Sequence, residues 1–159
     1  YLNVGYMVIC LSNVAMLHFF YKKRGLAPPE ALYHHLQELW EVVKNFTFPD
    51  GRLLRIGGDT RARYCYCQDY AIPAWLLMAD ISQDSEALAF EAGWLAQVEK
   101  ELAANGDGSF LSDRLKELSI TSPLYYTRLE ADRAATLSMG LYWRRISPLP
   151  TSTIEPGKK

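Results

Sequence analysis

Residues 48–70 read FPDGRLLRIGGDTRARYCYCQDY, a tight turn that leads into a stretch rich in Arg and Tyr. The turn Asp50-Gly51 and the apolar pair after it, Leu53-Leu54, recur 57 residues later as Asp107-Gly108 and Phe110-Leu111. An amphipathic segment precedes each turn, and an acidic residue opens a helical pattern after it. This recurrence predicts a repeat of helical hairpins, which stack side by side and bury their apolar faces against their neighbours.

Apolar residues recur at helical spacing over most of the chain. The pattern predicts helices at 3–22, 30–46, 68 or 69 to 81, 85–104 and 123–146. Between the second and third of these, 52–67 contain two short β-like runs around a Gly-Gly turn, which predict a small hairpin or an ordered loop. The predicted fold is therefore all-α, with helical hairpins over 1–146 and one small β-hairpin-like insertion. A Pro-rich tail or linker follows at 147–159.

The composition excludes several classes of protein. Among 159 residues, 17 Lys and Arg balance 18 Asp and Glu for a net charge of −1, which argues against a polybasic nucleic-acid-binding protein. The three cysteines do not make a disulfide framework, and with the adjacent pair His34-His35 they lack the spacing of a zinc site. No metal and no cofactor is therefore expected. The aromatic share of 13% is high, which suits a large core, a stacking surface for sugars or bases, or a protein interface.

The first 21 residues contain no charged side chain and are followed at once by Lys22-Lys23-Arg24. A segment of this kind is long enough to span a bilayer, and the same composition occurs in a helix buried inside a protein core. Four of its polar residues would be costly in lipid and could find partners in a helical core: Asn3, Ser12, Asn13 and His18. We therefore expect a buried helix and no membrane partner.

Each Asp-Gly turn joins the end of an outer helix to the start of an inner one, so both turns are expected at the same end of the stack. Sites commonly form where loops converge on a rigid scaffold. The candidate site residues are the polar and aromatic side chains that follow the turns. They are Asp59, Arg61, Arg63, Tyr64, Tyr66 and Asp69 in the first copy, and Tyr125, Tyr126, Arg128 and Glu130 in the second.

This pattern resembles a known architecture. Helical hairpins of about 60 residues, with Asp-Gly turns before loops rich in Arg and aromatic residues, look like the α/α-toroid catalytic domains of carbohydrate-active enzymes. Residues 48–70 most resemble the turn-and-loop region in the helical domain of heparinase II/III-like polysaccharide lyases. Unsaturated-uronide hydrolases and terpene-cyclase-like toroids share the architecture, so the fold alone does not choose the reaction. The chain supplies about two and a half hairpins of a toroid that closes with roughly four to seven, which implies the remaining hairpins of a larger parent chain as partners.

The resemblance implies β-elimination next to a uronic acid carboxylate in an acidic polysaccharide or oligosaccharide. That reaction needs one group that neutralises the carboxylate and a base that removes the adjacent proton. Arg61 suits the first task because a guanidinium binds two oxygens, and Tyr64 or Tyr66 suits the second if nearby Arg charges favour the phenolate. The other candidates would bind substrate: Asp59, Arg63, Asp69, Tyr125, Tyr126, Arg128 and Glu130.

Each candidate also has a structural interpretation. Asp59 and the nearby arginines can form an ion pair within the loop, and the tyrosines can pack beneath it. A helix N-terminus by itself favours residues such as Asp69 and Glu130. If Asp69 instead faces Glu130 and Asp132 across the mouth of the site, the carboxylates would suit a glycoside hydrolase. The alternative functions are therefore a hydrolase of the same architecture and a non-catalytic helical module that binds a glycan or a protein.

Overall fold

The computed structural model describes residues 3–54 and 67–149. Within them the chain forms helices α1 (Val4–Arg24), α2 (Leu36–Asn45), α3 (Ala71–Ser82), α4 (Ser85–Asn105), α5 (Lys116–Thr121) and α6 (Pro123–Ile146), with a 3₁₀-helix at Glu30–Tyr33. The one isolated β-bridge among these described residues pairs Thr47 with Leu53. The all-α prediction is confirmed. The predicted β-hairpin-like insertion at 52–67 lies almost entirely outside the described residues.

Helix α1 begins and ends where its sequence provides caps. The Asn3 side chain accepts a hydrogen bond from the Tyr6 backbone N–H at 3.1 Å. At the other end Gly25 adopts a left-handed conformation with φ of 64°, and the Leu26 N–H donates to the Tyr21 carbonyl at 3.1 Å. The observed helix therefore agrees with the predicted range of 3–22 to within two residues at each end.

The predicted helix at 30–46 is interrupted. His35 has a left-handed φ of 54°, so the chain changes direction between the 3₁₀-helix and α2. Tyr33 lies before this break and packs toward α1, whereas α2 buries Leu36, Trp40 and Val43. The apolar spacing continues through both segments, which is why the sequence pattern did not reveal the interruption.

Helices α1 and α3 pack side by side in the same direction. Near their N-terminal ends, Gly5 approaches Cys67 so closely that a Cβ at this glycine would lie 2.9 Å from the cysteine Sγ. Near their C-terminal ends, His18 contacts Asp80. Both contacts join residues that are 62 positions apart, so the two helices are in parallel register.

Helix α6 also runs parallel to α3, and it contacts α1 as well, where Phe19 stacks on Trp143. Gly140 of α6 lies against Ile72, and Ser147, just after α6, hydrogen-bonds to Asp80 at the end of α3. Helix α3 therefore packs against α1, α4 and α6, and its residues 71–79 are all buried. Pro73 is tolerated there because it lies in the first turn, where a backbone N–H has no partner within the helix.

Helices α2 and α4 pack onto this group, α2 against α1 and α4 against α3. Two ion pairs show that α4 runs opposite to α6. Glu91, early in α4, pairs with Arg144 near the end of α6, whereas Glu101, late in α4, pairs with Arg133. Among the described residues α1, α3 and α6 thus form a parallel group, and α4 returns beside it in the opposite direction.

One face of α1 is buried and another is exposed. Tyr6, Leu17 and Phe20 are each about half exposed, and the exposed Cys10 lies between them on the helix. Within the described residues, α1 is the helix whose length and composition would allow it to cross a membrane. Of its most apolar stretch of 18 residues, 44% is buried inside the protein. Helix α1 therefore contributes one face to the core and has a second apolar face that the described residues do not cover.

The packed part of the chain extends into the segment predicted as a tail at 147–159. Ser147 is buried, and its hydroxyl contacts both Asp80 on α3 and Lys22 on α1. Ser147 therefore belongs to the helical domain. Residues 150–159 lie outside the described residues.

Candidate functional site

The first Asp-Gly turn is held between α4 and the residues just before α3. Gly51 has φ of 79°, and a Cβ at this position would lie 2.3 Å from the Phe90 carbonyl oxygen, so the position requires glycine. The Gln68 side chain clamps the turn. Its Oε1 accepts the Leu53 N–H at 2.8 Å, and its Nε2 donates to the Gly51 carbonyl at 2.9 Å. The turn is thereby fixed from two sides.

Glu130 of α6 clamps the second Asp-Gly turn. Its carboxylate accepts the backbone N–H groups of Phe110 and Leu111, both at 2.9 Å, and the Tyr126 hydroxyl donates to it at 2.6 Å. The two turns are clamped by different side chains because they present different backbone groups. The first turn presents an N–H and a carbonyl, which suit an amide. The second turn presents two N–H groups, which suit a carboxylate.

A buried charge network, formed by Asp69, Trp94, Glu101 and Arg133, lies beneath both turns. The Asp69 carboxylate accepts hydrogen bonds from Arg133 Nε at 3.1 and 3.0 Å and from Trp94 Nε1 at 3.1 Å. Trp94 lies against Gly51 of the first turn, and Arg133 Nη1 is 3.4 Å from the Phe110 carbonyl oxygen of the second. Both turns therefore rest on one network at the same end of the parallel helices.

Burial and ion pairing have opposite effects on the charges of this network, because the Asp69 and Arg133 side chains are inaccessible to solvent. Burial raises the pKa of Asp69, and Arg133 and Trp94 offset that effect only in part. Burial opposes the charge on Arg133, but the carboxylates of Asp69 and Glu101 raise the pKa of its guanidinium. Among the described residues, Arg133 Nη2 has no hydrogen-bond partner. The network therefore positions the two turns through its buried Asp69–Arg133 pair, and only Glu101 among its four members has a side chain that is partly exposed, at 24%.

The structure places half of the predicted site residues. Asp69 and Glu130 each anchor a different feature, the buried network and the second turn, and neither side chain caps the N-terminus of its own helix. Their carboxylates have separate partners, so the described contacts do not pair them across a mouth. The remaining predicted residues of the first copy lie outside the described residues: Asp59, Arg61, Arg63, Tyr64 and Tyr66.

Tyr125, Tyr126 and Arg128 lie in the first two turns of α6. Burial, together with the hydrogen bond to Glu130, raises the pKa of the Tyr126 hydroxyl, so this side chain stays protonated at neutral pH and does not suit the role of a base. Arg128 is 60% exposed, and its Nε is 3.5 Å from the Asp132 carboxylate one turn later. Of the placed candidates, Arg128 is the cation that an anionic ligand can reach.

Three residues that hold the two Asp-Gly turns in place are not among the predicted site residues: Gln68, Trp94 and Arg133. The signal for Arg133 is its helical spacing from Leu129 and Thr136, which are both buried, because a charged residue on a buried face must have a partner. The sequence does not reveal which carboxylate that partner is, since Asp69 lies 64 positions away.

A second polar cluster lies at the opposite end of the parallel helices and contains His18, Lys22, Tyr33, Asp80 and Ser147. The Asp80 carboxylate accepts hydrogen bonds from His18 Nε2 and Lys22 Nζ, both at 2.7 Å, and from the Ser147 hydroxyl. Burial opposes ionisation of Asp80, but these three donors together hold the pKa of its carboxyl far below the usual value. Tyr33 Oη is 2.7 Å from His18 Nδ1, and burial followed by the charge of Asp80 raises the pKa of this tyrosine. Because Lys22 is ion-paired and the Ser147 hydroxyl is engaged, the cluster ties helices together and has no activated nucleophile.

A comparison of the chain with models of protein families, with curated proteins and with solved structures finds no match. Within residues 3–54 and 67–149, no group of three or more His, Cys, Asp or Glu side chains has a metal-binding arrangement. The candidate site is therefore defined by the geometry of this chain alone.

Proposed function

We propose that this chain is part of an α/α toroid that binds an acidic polysaccharide at the end where its two Asp-Gly turns lie, and that it acts as a polysaccharide lyase-like domain. One observation supports the proposal above all. The first turn at Gly51 and the second at Phe110 rest on the same Asp69–Arg133 network. Parallel inner helices, with loops converging at one end, are also the arrangement that a toroid with a cleft requires.

Arginine side chains are the proposed recognition groups. Arg61 and Arg63 follow the first turn in the sequence, and Arg128 is exposed on α6 beside the second. A guanidinium can bind a carboxylate or sulfate through two parallel hydrogen bonds. By neutralising a uronic acid carboxylate, it would also make the adjacent C–H more acidic.

In the proposed reaction a base removes this proton, and the electron pair forms a carbon–carbon double bond as the neighbouring glycosidic C–O bond breaks. The leaving oxygen takes up a proton, so the products are a new sugar end and an unsaturated uronide. Tyr64 and Tyr66 are the proposed bases. Tyr126 is not proposed for this role because its hydroxyl is held by Glu130.

The test supplies acidic polysaccharides to the chain and follows near-ultraviolet absorbance, which reports the unsaturated product. Binding is measured separately by calorimetry, because the other hairpins of a toroid also contribute to its cleft. We expect Arg61→Ala and Tyr66→Ala to reduce binding or turnover at least tenfold. Arg145→Ala should leave both unchanged, since Arg145 is exposed at the far end of α6.

Other outcomes would point to the alternative functions. New reducing ends without ultraviolet absorbance would indicate a hydrolase. Binding without turnover would indicate a non-catalytic glycan-binding module. A circular dichroism melt confirms that each variant is folded. If no acidic polysaccharide binds, or if folded Arg61→Ala and Tyr66→Ala bind and turn over substrate as the unmodified chain does, the proposed function is wrong.

A further inference from the structure

The first Asp-Gly turn and α4 enclose a groove of about 380 Å³, a volume within the range of small-molecule sites. None of the described residues that line the groove is among those assigned above to substrate recognition. Its lining includes Phe48, Asp50 and Arg52 from the turn, and Gly93, Gln97 and Lys100 from α4.

Gly93 brings the turn and the helix into direct contact at the base of the groove. A Cβ at this position would lie 2.8 Å from the Asp50 Cα, so a larger residue would push the turn away from α4. Gln97 and Lys100 follow Gly93 at four and seven positions, the spacing of one helix face. Their side chains therefore extend from the same face as the groove floor.

The charges in the groove are not balanced. Arg52 Nε is 2.7 Å from an Asp50 carboxylate oxygen, and the guanidinium carbon is 5.6 Å from the centre of the Phe48 ring. Lys100 is exposed, and no carboxylate among the described residues lies within ion-pair distance of its ammonium group. The groove thus combines one neutralised cation, one cation that has no carboxylate partner within residues 3–54 and 67–149, an amide and an aromatic ring.

We propose that this groove binds one acidic sugar unit. Lys100 attracts its carboxylate or sulfate group, the Gln97 amide hydrogen-bonds to a hydroxyl, and Phe48, which is 44% exposed, packs against the apolar face of the ring. The choice of a sugar rests on the proposed function. The location rests on the described lining alone, which the turn and α4 provide.

The test is a two-dimensional NMR titration of the full chain with three separate ligands: glucuronate, glucose 6-sulfate and glucose. We expect the two anionic sugars to shift the backbone amides of Gly93, Gln97 and Lys100 in a saturable way. Glucose should bind at least fivefold more weakly, because it has no anionic group for the lysine. The relative affinities of glucuronate and glucose 6-sulfate then identify the preferred anion.

Lys100→Gln removes the charge of an exposed side chain, so the fold should be unchanged. We expect this variant to bind glucuronate at least fivefold more weakly, whereas the control Lys116→Gln, at an exposed lysine of α5, should bind as the unmodified chain does. Equal binding of glucose and glucuronate, shifts confined to other residues, or unchanged affinity in Lys100→Gln would overturn the proposal.

The two proposals fail in different ways. If acidic polysaccharide binds and depends on Arg61 but not on Lys100, the groove proposal is wrong and the proposed function stands. If glucuronate binds in the groove but Arg61→Ala changes nothing, the assignment of recognition to Arg61 is wrong and the groove proposal stands. Absence of any binding by acidic sugars overturns both.

Discussion

Replacing Asp80 with Asn should destabilise the protein by about 2–3 kcal/mol. The Asp80 side chain is 7% exposed and accepts hydrogen bonds from His18, Lys22 and Ser147. An Asn side chain of the same size has one acceptor oxygen and adds a donor, so at least one of these groups would face another donor. Removing one partner from a buried ion pair costs about 3–5 kcal/mol of folding stability. We expect a smaller loss here because the Lys22 side chain is 39% exposed, so solvent weakens its attraction to Asp80.

The assay is urea unfolding at pH 7, followed by far-ultraviolet circular dichroism. Asp113→Asn provides the matched control, because Asp113 is exposed and its substitution should change the free energy of unfolding by no more than about 0.5 kcal/mol. A cost for Asp80→Asn as small as that of the control would refute the idea that the Asp80 cluster ties the helices together.

The pH dependence of this cost tests the same reasoning. Because the folded-state pKa of Asp80 is lowered, its contribution is complete above the unfolded-state value of about 3.9 and is lost as the pH falls below that value. The difference in stability between the unmodified chain and Asp80→Asn should therefore narrow by roughly 1 kcal/mol between pH 7 and pH 3. A difference that stays constant, or that grows as the pH falls, would show that the carboxylate is not preferentially ionised in the folded state.

Two further substitutions test the Asp-Gly turns. Gly93→Ala should destabilise the protein by about 1–3 kcal/mol in urea unfolding, because the new Cβ would lie 2.8 Å from the Asp50 backbone. A gain in stability, which helix propensity alone predicts, would contradict this contact. Glu130→Gln should cost about 1–2 kcal/mol and accelerate hydrogen exchange at the Phe110 amide, because an amide cannot accept from two backbone N–H groups and a hydroxyl as a carboxylate does. Glu117→Gln, at an exposed position of α5, should leave both the stability and that exchange rate unchanged.

The helices of this protein could largely be predicted, because their signals are local. Asn3 and Gly25 delimit α1, and the predicted helix at 123–146 has the observed bounds of α6, which begins at Pro123. The interruption at His35 could not be predicted. The left-handed conformation of His35 depends on how the segments on either side of it pack, because the apolar pattern continues through both. Tyr33, just before the interruption, contacts His18 on α1, which is a tertiary contact that the local sequence does not specify.

Less of the candidate site could be predicted. The Asp-Gly recurrence identified both turns. The sequence predicts Glu130 as a substrate-binding residue or as one favoured at a helix N-terminus, and the structure shows its carboxylate anchoring the second turn. The corresponding clamp of the first turn is an amide, Gln68, whose side chain is neither charged nor aromatic and so gives no signal of this role in the sequence. The difference arises from the backbone groups that each turn presents, and these depend on the turn's conformation.

The amino-acid sequence by itself determined the positions of the helices and the recurrence of the turns, because both follow from caps, spacing and glycine within a few neighbouring residues. Only the tertiary structure decided which charges are partners. Asp69 binds Arg133 across 64 positions, and Asp80 binds Ser147 across 67. The physical reason is that burial makes an unpaired charge costly but does not specify its partner, and the partner is set by which parallel helices pack against α3.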